Sequence, residues 1–214
     1  MKKITVLLLL ITSFTACQPT QTRLPILGER EGVETRTVNG QTVTDTVYHT
    51  IPDFAFVNQD SAVVSAKTFE NKIYVANFFF TTCPTICPKM QTQLLKVYQE
   101  FKGNPGVMFL SHSIDPRHDT VPVLREYAKN IGAEGAQWQF VTGDKAKVFE
   151  IAQKSYFVSA LEDENEPGGL VHSGALVLID QQKRIRGLYD STEEADVNLL
   201  KAHIRTLLAE SQIQ

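Results

Sequence analysis

Residues 73–88 read IYVANFFFTTCPTICP: eight positions that are apolar or aromatic except for Asn77, then two threonines, then Cys83 and Cys87 four positions apart, each followed by proline. An apolar run of this length, rich in aromatic and β-branched side chains, predicts a strand covered on both faces. Beyond the cysteines, Met90, Leu94, Leu95, Val97, Tyr98 and Phe101 recur at helical spacing, so Lys89 to Phe101 is expected to be an amphipathic helix. Proline suits the first helical position and disfavours helix in the residue before it. The simplest placement therefore makes Pro88 the first helical residue, with Cys87 as its cap and Cys83 in the preceding turn. Both sulfurs would then lie near unpaired backbone N–H groups at the positive end of a helix, a position that favours thiolate over thiol.

Four positions apart in a turn brings two alpha carbons to roughly 6 Å, within reach of a disulfide. The same spacing leaves room for an ion between the sulfurs. Two buried, inert thiols are the third reading of the pair. A soft thiolate pair suits a soft ion such as Cu(I), and a nearby histidine would separate a metal site from a plain dithiol.

Outward from this stretch, Val107 to Ile114 reads as a second buried strand. A helix starts at Asp119 or Thr120, with Pro122 just behind, and Gly132 ends it after Asn130. Trp138 to Val141 is a short strand with Trp138 in the core, and Thr142-Gly143-Asp144 opens a helix to about Tyr156. Ser159 to Gly169 is acidic and irregular; its run Glu162 to Glu166 is a solvated loop or a feature that shapes docking of a partner. Ala175 to Ile179 and Arg184 to Tyr189 form a hairpin, and Glu193 to Ala209 closes the chain as a helix. Upstream, Phe54 to Val57 and Val63-Val64 form another hairpin. The order predicts an α/β fold: a central mixed sheet, helices on both faces, and an N-terminal hairpin extension. It resembles a thioredoxin-type fold with insertions, in which the loop entering the strand at Ala175 lies beside the cysteine loop.

That placement singles out His172, in Leu170-Val171-His172-Ser173-Gly174, among five histidines. His49 falls in the N-terminal segment, His112 within a strand, His118 on a loop and His203 on the last helix. A satisfied structural histidine remains an alternative for His172 as well.

The chain has 214 residues, a formal net charge of -3 and 43% hydrophobic residues, enough for one domain with a sizeable core. Its cations are scattered and outnumbered, so nucleic acid is not an expected partner. Met1-Lys2-Lys3, the apolar Ile4 to Ile11 and the small residues before Cys17 have the layout of a secretory signal. Cysteine at that point resembles a bacterial lipoprotein box. Residues 1–16 are thus expected to be a signal peptide and Cys17 the lipidated residue. Residues 17–50 are expected to be a tether with at most a short strand near Thr42 to Tyr48, and residues 51–214 the domain, exported and lipid-anchored to a bacterial membrane in the periplasm or cell-envelope space. Only Cys83 and Cys87 are then left for redox or metal chemistry.

Three elements together carry a family resemblance. Phe80 to Pro88 is similar to the Cys-Pro-x-x-Cys-Pro signature of the Sco/SenC family. Ser113 to Thr120 (SIDPRHDT) resembles its Ser-x-Asp-Pro-x-Arg-Asp-Thr element, and Val171-His172-Ser173, with His172 85 positions after Cys87, matches the place of its Asp-His-Ser. Val171 stands where the family has aspartate, Arg117-His118 differs from its usual pair, and the segment before His172 is short for its extra hairpin. The resemblance implies a membrane-anchored copper-binding protein of cytochrome c oxidase assembly. It implies Cys83, Cys87 and His172 as ligands of Cu(I) or Cu(II), Asp115 as a residue of the surrounding pattern, and the oxidase subunit that bears the copper A centre as partner. A copper donor or a thiol reductant would be a further partner. A thiol-disulfide oxidoreductase using Cys83 and Cys87 is the alternative function; peroxide reduction with Arg117, and a purely structural module, are weaker ones.

Overall fold

The computed structural model describes residues 23–84, 86–133, 135–163 and 169–211. The leader with Cys17, residues 164–166 of the acidic run and Gly168 lie outside the described residues.

In chain order the strands are β1 (Arg30–Val38), β2 (Gln41–Tyr48), β3 (Ala55–Asn58), β4 (Val63–Ser65), β5 (Ile73–Phe79), β6 (Val107–Ser113), β7 (Trp138–Thr142), β8 (Ala160–Glu162), β9 (Leu170–His172), β10 (Ala175–Ile179) and β11 (Ile185–Asp190). The helices are α1 (Ile86–Phe101), α2 (Val121–Asn130), α3 (Lys145–Glu150), which runs into a π turn at Ile151–Ser155, and α4 (Glu194–Ser211). Seven strands make one mixed sheet in the order β11-β10-β5-β6-β7-β3-β4. The apolar run is its central strand, with all seven residues of β5 buried.

Alternation along β5 divides the core. Asn77 donates to Met90 of α1, and Phe79 packs on Tyr127 of α2, so odd-numbered positions face these helices. Tyr74 and Phe78 point the other way, onto Tyr156 beyond the π turn. Helices thus cover both faces, as expected. Trp138 is fully buried among Tyr98, Phe109 and Phe140, and its indole N–H donates to Ser111, which in turn donates to Asn77. This internal polar chain is satisfied, which is why it can sit inside an apolar layer at little cost.

The segment expected to be a tether is more ordered than its polarity suggested. β1 and β2 pair antiparallel over nearly their whole length around Asn39-Gly40, both at positive φ (51° and 78°). The Asn-Gly pair is a strong signal for a two-residue hairpin turn, but both faces of the ribbon are polar, so no apolar period marked the strands. The segment also touches the domain at each end. Buried Arg186 donates to the carbonyls of Leu24 and Pro25 while pairing with Asp180 and Glu210, and His49 binds the Ser155 carbonyl at 2.9 Å. Between residues 24 and 49 the chain is therefore tied to the domain rather than a simple spacer.

Candidate metal centre

The helix after the cysteines begins earlier than the sequence suggested. α1 includes Ile86 and Cys87, which makes Pro88 its third residue. Proline is tolerated there because N–H groups of the first turn have no partner inside the helix in any case. Cys87 is carried by the helix itself, and Cys83 by the turn before it, where its N–H donates to Phe80 at 3.2 Å.

β10 runs antiparallel beside β5, with Val177 opposite Ala76. Its start therefore lies at the end of β5 from which the cysteine loop emerges. β9, paired with β8, delivers His172 to that point; this small hairpin fills the place where the sequence looked short. The turn between β9 and β10 is pinned by Ser191, whose N–H donates to the Gly174 carbonyl at 2.9 Å. A Cβ on Gly174 would lie 2.8 Å from the Ile86 methyl and 3.1 Å from the Ser191 hydroxyl. Glycine there is a packing requirement: it lets the histidine turn close onto the first turn of α1.

Three side chains from two distant stretches meet as a result. The sulfurs of Cys83 and Cys87 and an imidazole nitrogen of His172 all lie within 4.8 Å of one another, and all three residues are buried. Cys87 Sγ is 2.7 Å from His172 Nε2, and His172 Nδ1 is 3.2 Å from the Ser173 carbonyl. A carbonyl only accepts, so the proton belongs on Nδ1, and Nε2 turns its lone pair to the sulfurs. The Cys87 S–H then donates to Nε2. A neutral imidazole held in this tautomer by a backbone carbonyl is the form that ligates a metal ion. Among the described residues this is the only such cluster of potential ligands.

The electrostatics correct one expectation. Burial pushes the Cys87 thiol well above its ordinary range, against an opposing hydrogen bond from the Phe80 backbone, and neighbouring Cys83 and Asp119 push it further up. A helix terminus is worth about 0.3–1 kcal/mol, less than the ~1.4 kcal/mol of one pKa unit, whereas full burial shifts a group by up to about 3–5 units. Desolvation wins. Burial likewise lowers the His172 pKa, partly offset by the Ser173 carbonyl. At neutral pH the pair is thiol and neutral imidazole, and a soft cation that enters must displace the Cys87 proton.

Of the two starts expected for α2, Asp119 or Thr120, the structure uses Thr120. The Asp119 side chain is fully buried and turns to the cysteine loop. It accepts from the Thr81 N–H at 3.1 Å and from the hydroxyls of Thr81 and Ser113, each at 2.5 Å. Asp115 is half-buried and shapes the turn: its carbonyl accepts from His118 and Asp119, and its N–H donates to Ser113. The SIDPRHDT element marked the neighbourhood; which of its aspartates faces the cysteines depends on the loop's path.

The remaining candidates lie elsewhere. Arg117 and His118 are exposed, His49 is held by Ser155 and Glu31, and His203 by Tyr189. A cavity of about 630 Å³ beside β3 and the π turn has no cysteine or histidine among the described residues of its lining. A second, of about 400 Å³ between α1 and α2, reaches both cysteines.

A dithiol and a histidine, set at the end of the central strand of a thioredoxin-like sheet, define a class of small dithiol or metal-handling domains. Within that class the comparison is specific: a sequence model of SCO1/SenC matches residues 42–209, and the chain belongs to that family. It is 29% identical over 156 residues to the SCO1 protein homolog of Bacillus subtilis, which covers 72% of this chain and 80% of that protein. The structure of BsSco, described as a member of the Sco family of cytochrome c oxidase assembly proteins with a disulfide switch, superposes with a TM-score of 0.67 at 26% identity, covering 78% of this chain and 95% of that one. A relative from Stutzerimonas stutzeri described as copper-binding is 27% identical over 144 residues, 64% of this chain and 67% of its own length.

Proposed function

We propose that this chain is a copper chaperone: Cys83, Cys87 and His172 carry Cu(I) or Cu(II) as cargo and pass it to the copper-bearing subunit of cytochrome c oxidase, where the copper A centre is assembled. The observation that carries this reading is the convergence of two sulfurs and an imidazole nitrogen within 4.8 Å, with the other ring nitrogen against the Ser173 carbonyl. Two thiolates suit Cu(I), and the harder imidazole nitrogen extends the site to Cu(II). Because the Cys87 thiol is held protonated, loading releases a proton and copper binding strengthens as pH rises. Cys83 is 8% exposed against 2% for Cys87, so an acceptor's ligand meets Cys83 first. Export and lipidation at Cys17 belong to the same proposal, supported by the signal-like Met1 to Cys17 segment.

His172→Ala is expected to abolish Cu(II) charge-transfer absorption while both thiols still titrate. Retained Cu(II) absorption in that variant sinks the three-ligand reading. Gly174→Val tests the packing of the histidine turn. The Ile86 methyl can swing away from a single Cβ, but a branched side chain forces the turn outward, and Cu(II) affinity is expected to fall by about tenfold, roughly 1.4 kcal/mol. Unchanged affinity, measured by competition with a Cu(II) chelator, would show that the turn does not depend on this close approach.

A thiol-disulfide oxidoreductase is the second reading, favoured by the proximity of the two sulfurs and by the disulfide switch of BsSco. One cysteine, as thiolate, attacks a partner disulfide and releases one partner thiolate; the other cysteine attacks the mixed disulfide, leaving Cys83–Cys87 oxidised and the partner as a dithiol. Turnover that is independent of copper and unaffected by His172→Ala would favour it.

A further inference from the structure

The cavity of about 400 Å³ between α1 and α2 opens onto both cysteines and is walled by Phe80, Leu95, Tyr127 and Ile131. Its size is that of a site for a small ligand or a few residues of chain. Two features say what belongs there. First, no Asp, Glu, Lys or Arg side chain lines it among the described residues, so a charged occupant would lose hydration with no opposite charge to pair with, although Thr81, Thr92 and Asn130 add polar groups to the wall. Second, Gln91 is part of the lining and is 3% exposed, yet neither its Oε1 nor its Nε2 has a hydrogen-bond partner.

An unpartnered carboxamide inside a helix-packed layer is costly, and leucine would fill the same volume without that cost. A carboxamide presents its C=O and an N–H side by side, and on a side chain with three rotatable torsions they match the N–H and C=O of one residue in an extended chain, which point the same way. Rotation of Gln91 into the groove would satisfy both atoms at once if a backbone lay along it. A small thiol lacking a peptide backbone offers no such pair.

We propose that this groove receives an extended, uncharged segment of the partner protein that carries its cysteine to Cys83 and Cys87, and that Gln91 binds the backbone of that segment. The inference rests on ligand or thiol exchange at the cysteine pair, and it holds whether copper or a disulfide is what is exchanged. Gln91 is a positioning residue: it touches the incoming chain rather than the reacting sulfurs.

The test uses the protein with Cys83 and Cys87 oxidised to a disulfide, and three thiol probes: a capped heptapeptide of glycine, serine and leucine around one cysteine, the same peptide with glutamates for serines, and 2-mercaptoethanol, which has no amide group. The probe thiolate attacks one sulfur of the disulfide to give the mixed disulfide and a protein thiolate. A second probe thiol then releases the probe as its own disulfide and leaves the protein as dithiol, so two thiols are oxidised for one disulfide reduced. The uncharged peptide is expected to react about tenfold faster than either other probe at matched thiolate concentration. Gln91→Leu is expected to remove that advantage, leave the 2-mercaptoethanol rate unchanged, and unfold at the same or a higher temperature. Equal rates for all probes on the unmodified protein, or an equal fall for all probes in Gln91→Leu, would overturn the proposal. Copper absorption measured on the same two proteins keeps the outcomes separate. Peptide preference without copper binding removes the chaperone reading and leaves the groove, whereas copper binding without peptide preference does the reverse.

Discussion

His112→Leu is expected to make the protein more stable, and by far more at pH 4 than at pH 7. His112 is fully buried on β6, and neither ring nitrogen has a hydrogen-bond partner. Phe78 stacks on it at 4.8 Å, Phe56 and Phe54 meet it edge-on, and Tyr156 closes the cage. Tyr156 is the one titratable group among these rings, and burial raises its pKa well above the ordinary value, so it stays neutral throughout the acid range. With no carboxylate in the cage, burial alone lowers the His112 pKa from 6.5 to about 3. The unfolded chain takes up a proton below pH 6.5 that the folded chain refuses until about pH 3. Stability is therefore complete above the unfolded pKa and is lost as pH falls through that window. Between pH 7 and pH 4 the loss from this one group is about 3 kcal/mol. His172, also lowered, contributes in the same direction, but it is present in both proteins and cancels in the comparison. Leucine, close in volume, removes the proton linkage and the unpaired nitrogens together. Urea unfolding at the two pH values reads the effect. Stability curves that stay parallel from pH 7 to pH 4 would show that His112 finds a partner in solution.

The second large effect is expected at Asp119. Replacing it with alanine strands the Thr81 N–H and the hydroxyls of Thr81 and Ser113 in a buried site. The expected cost is about 3–5 kcal/mol of unfolding free energy. Asp119→Asn keeps the volume and one acceptor, and because burial already raises the carboxyl pKa against its three hydrogen bonds, loss of the charge costs less than loss of the side chain; about 1–2 kcal/mol is expected. Thr81 lies two positions before Cys83, so the damage reaches the site: amide exchange at Thr81 should quicken in Asp119→Ala and stay slow in Asp119→Asn. Equal protection in both variants would mean that the cysteine loop is held by other contacts.

Much of the architecture follows from local chemistry. The run Ile73 to Phe80 is too apolar for an edge strand, Met90 to Phe101 keeps helical period, and Gly132 ends α2, whose last residue, Asn130, lies just before it. The β1–β2 ribbon escaped periodicity because a two-sided polar hairpin has none, although Asn39-Gly40 announced its turn. The cysteine spacing named a dithiol, and the three ordered motifs named a family. His172 was found through the expected neighbourhood of β5 and β10, so that part of the site was legible only once a fold had been assumed.

Residue types, their spacing and the period of the apolar positions depend on neighbours along the chain, and by themselves they determined the strand, the loop, the helix and the candidate ligands. Protonation and partnership depend on what surrounds a side chain in space. Tertiary structure alone decided that Cys87 rests as a thiol in spite of its helix terminus, that Asp119 rather than Asp115 grips the cysteine loop, and that Gln91 and His112 are buried without partners. Desolvation is set by atoms that arrive from distant segments, and it outweighs the local terms that a sequence makes visible.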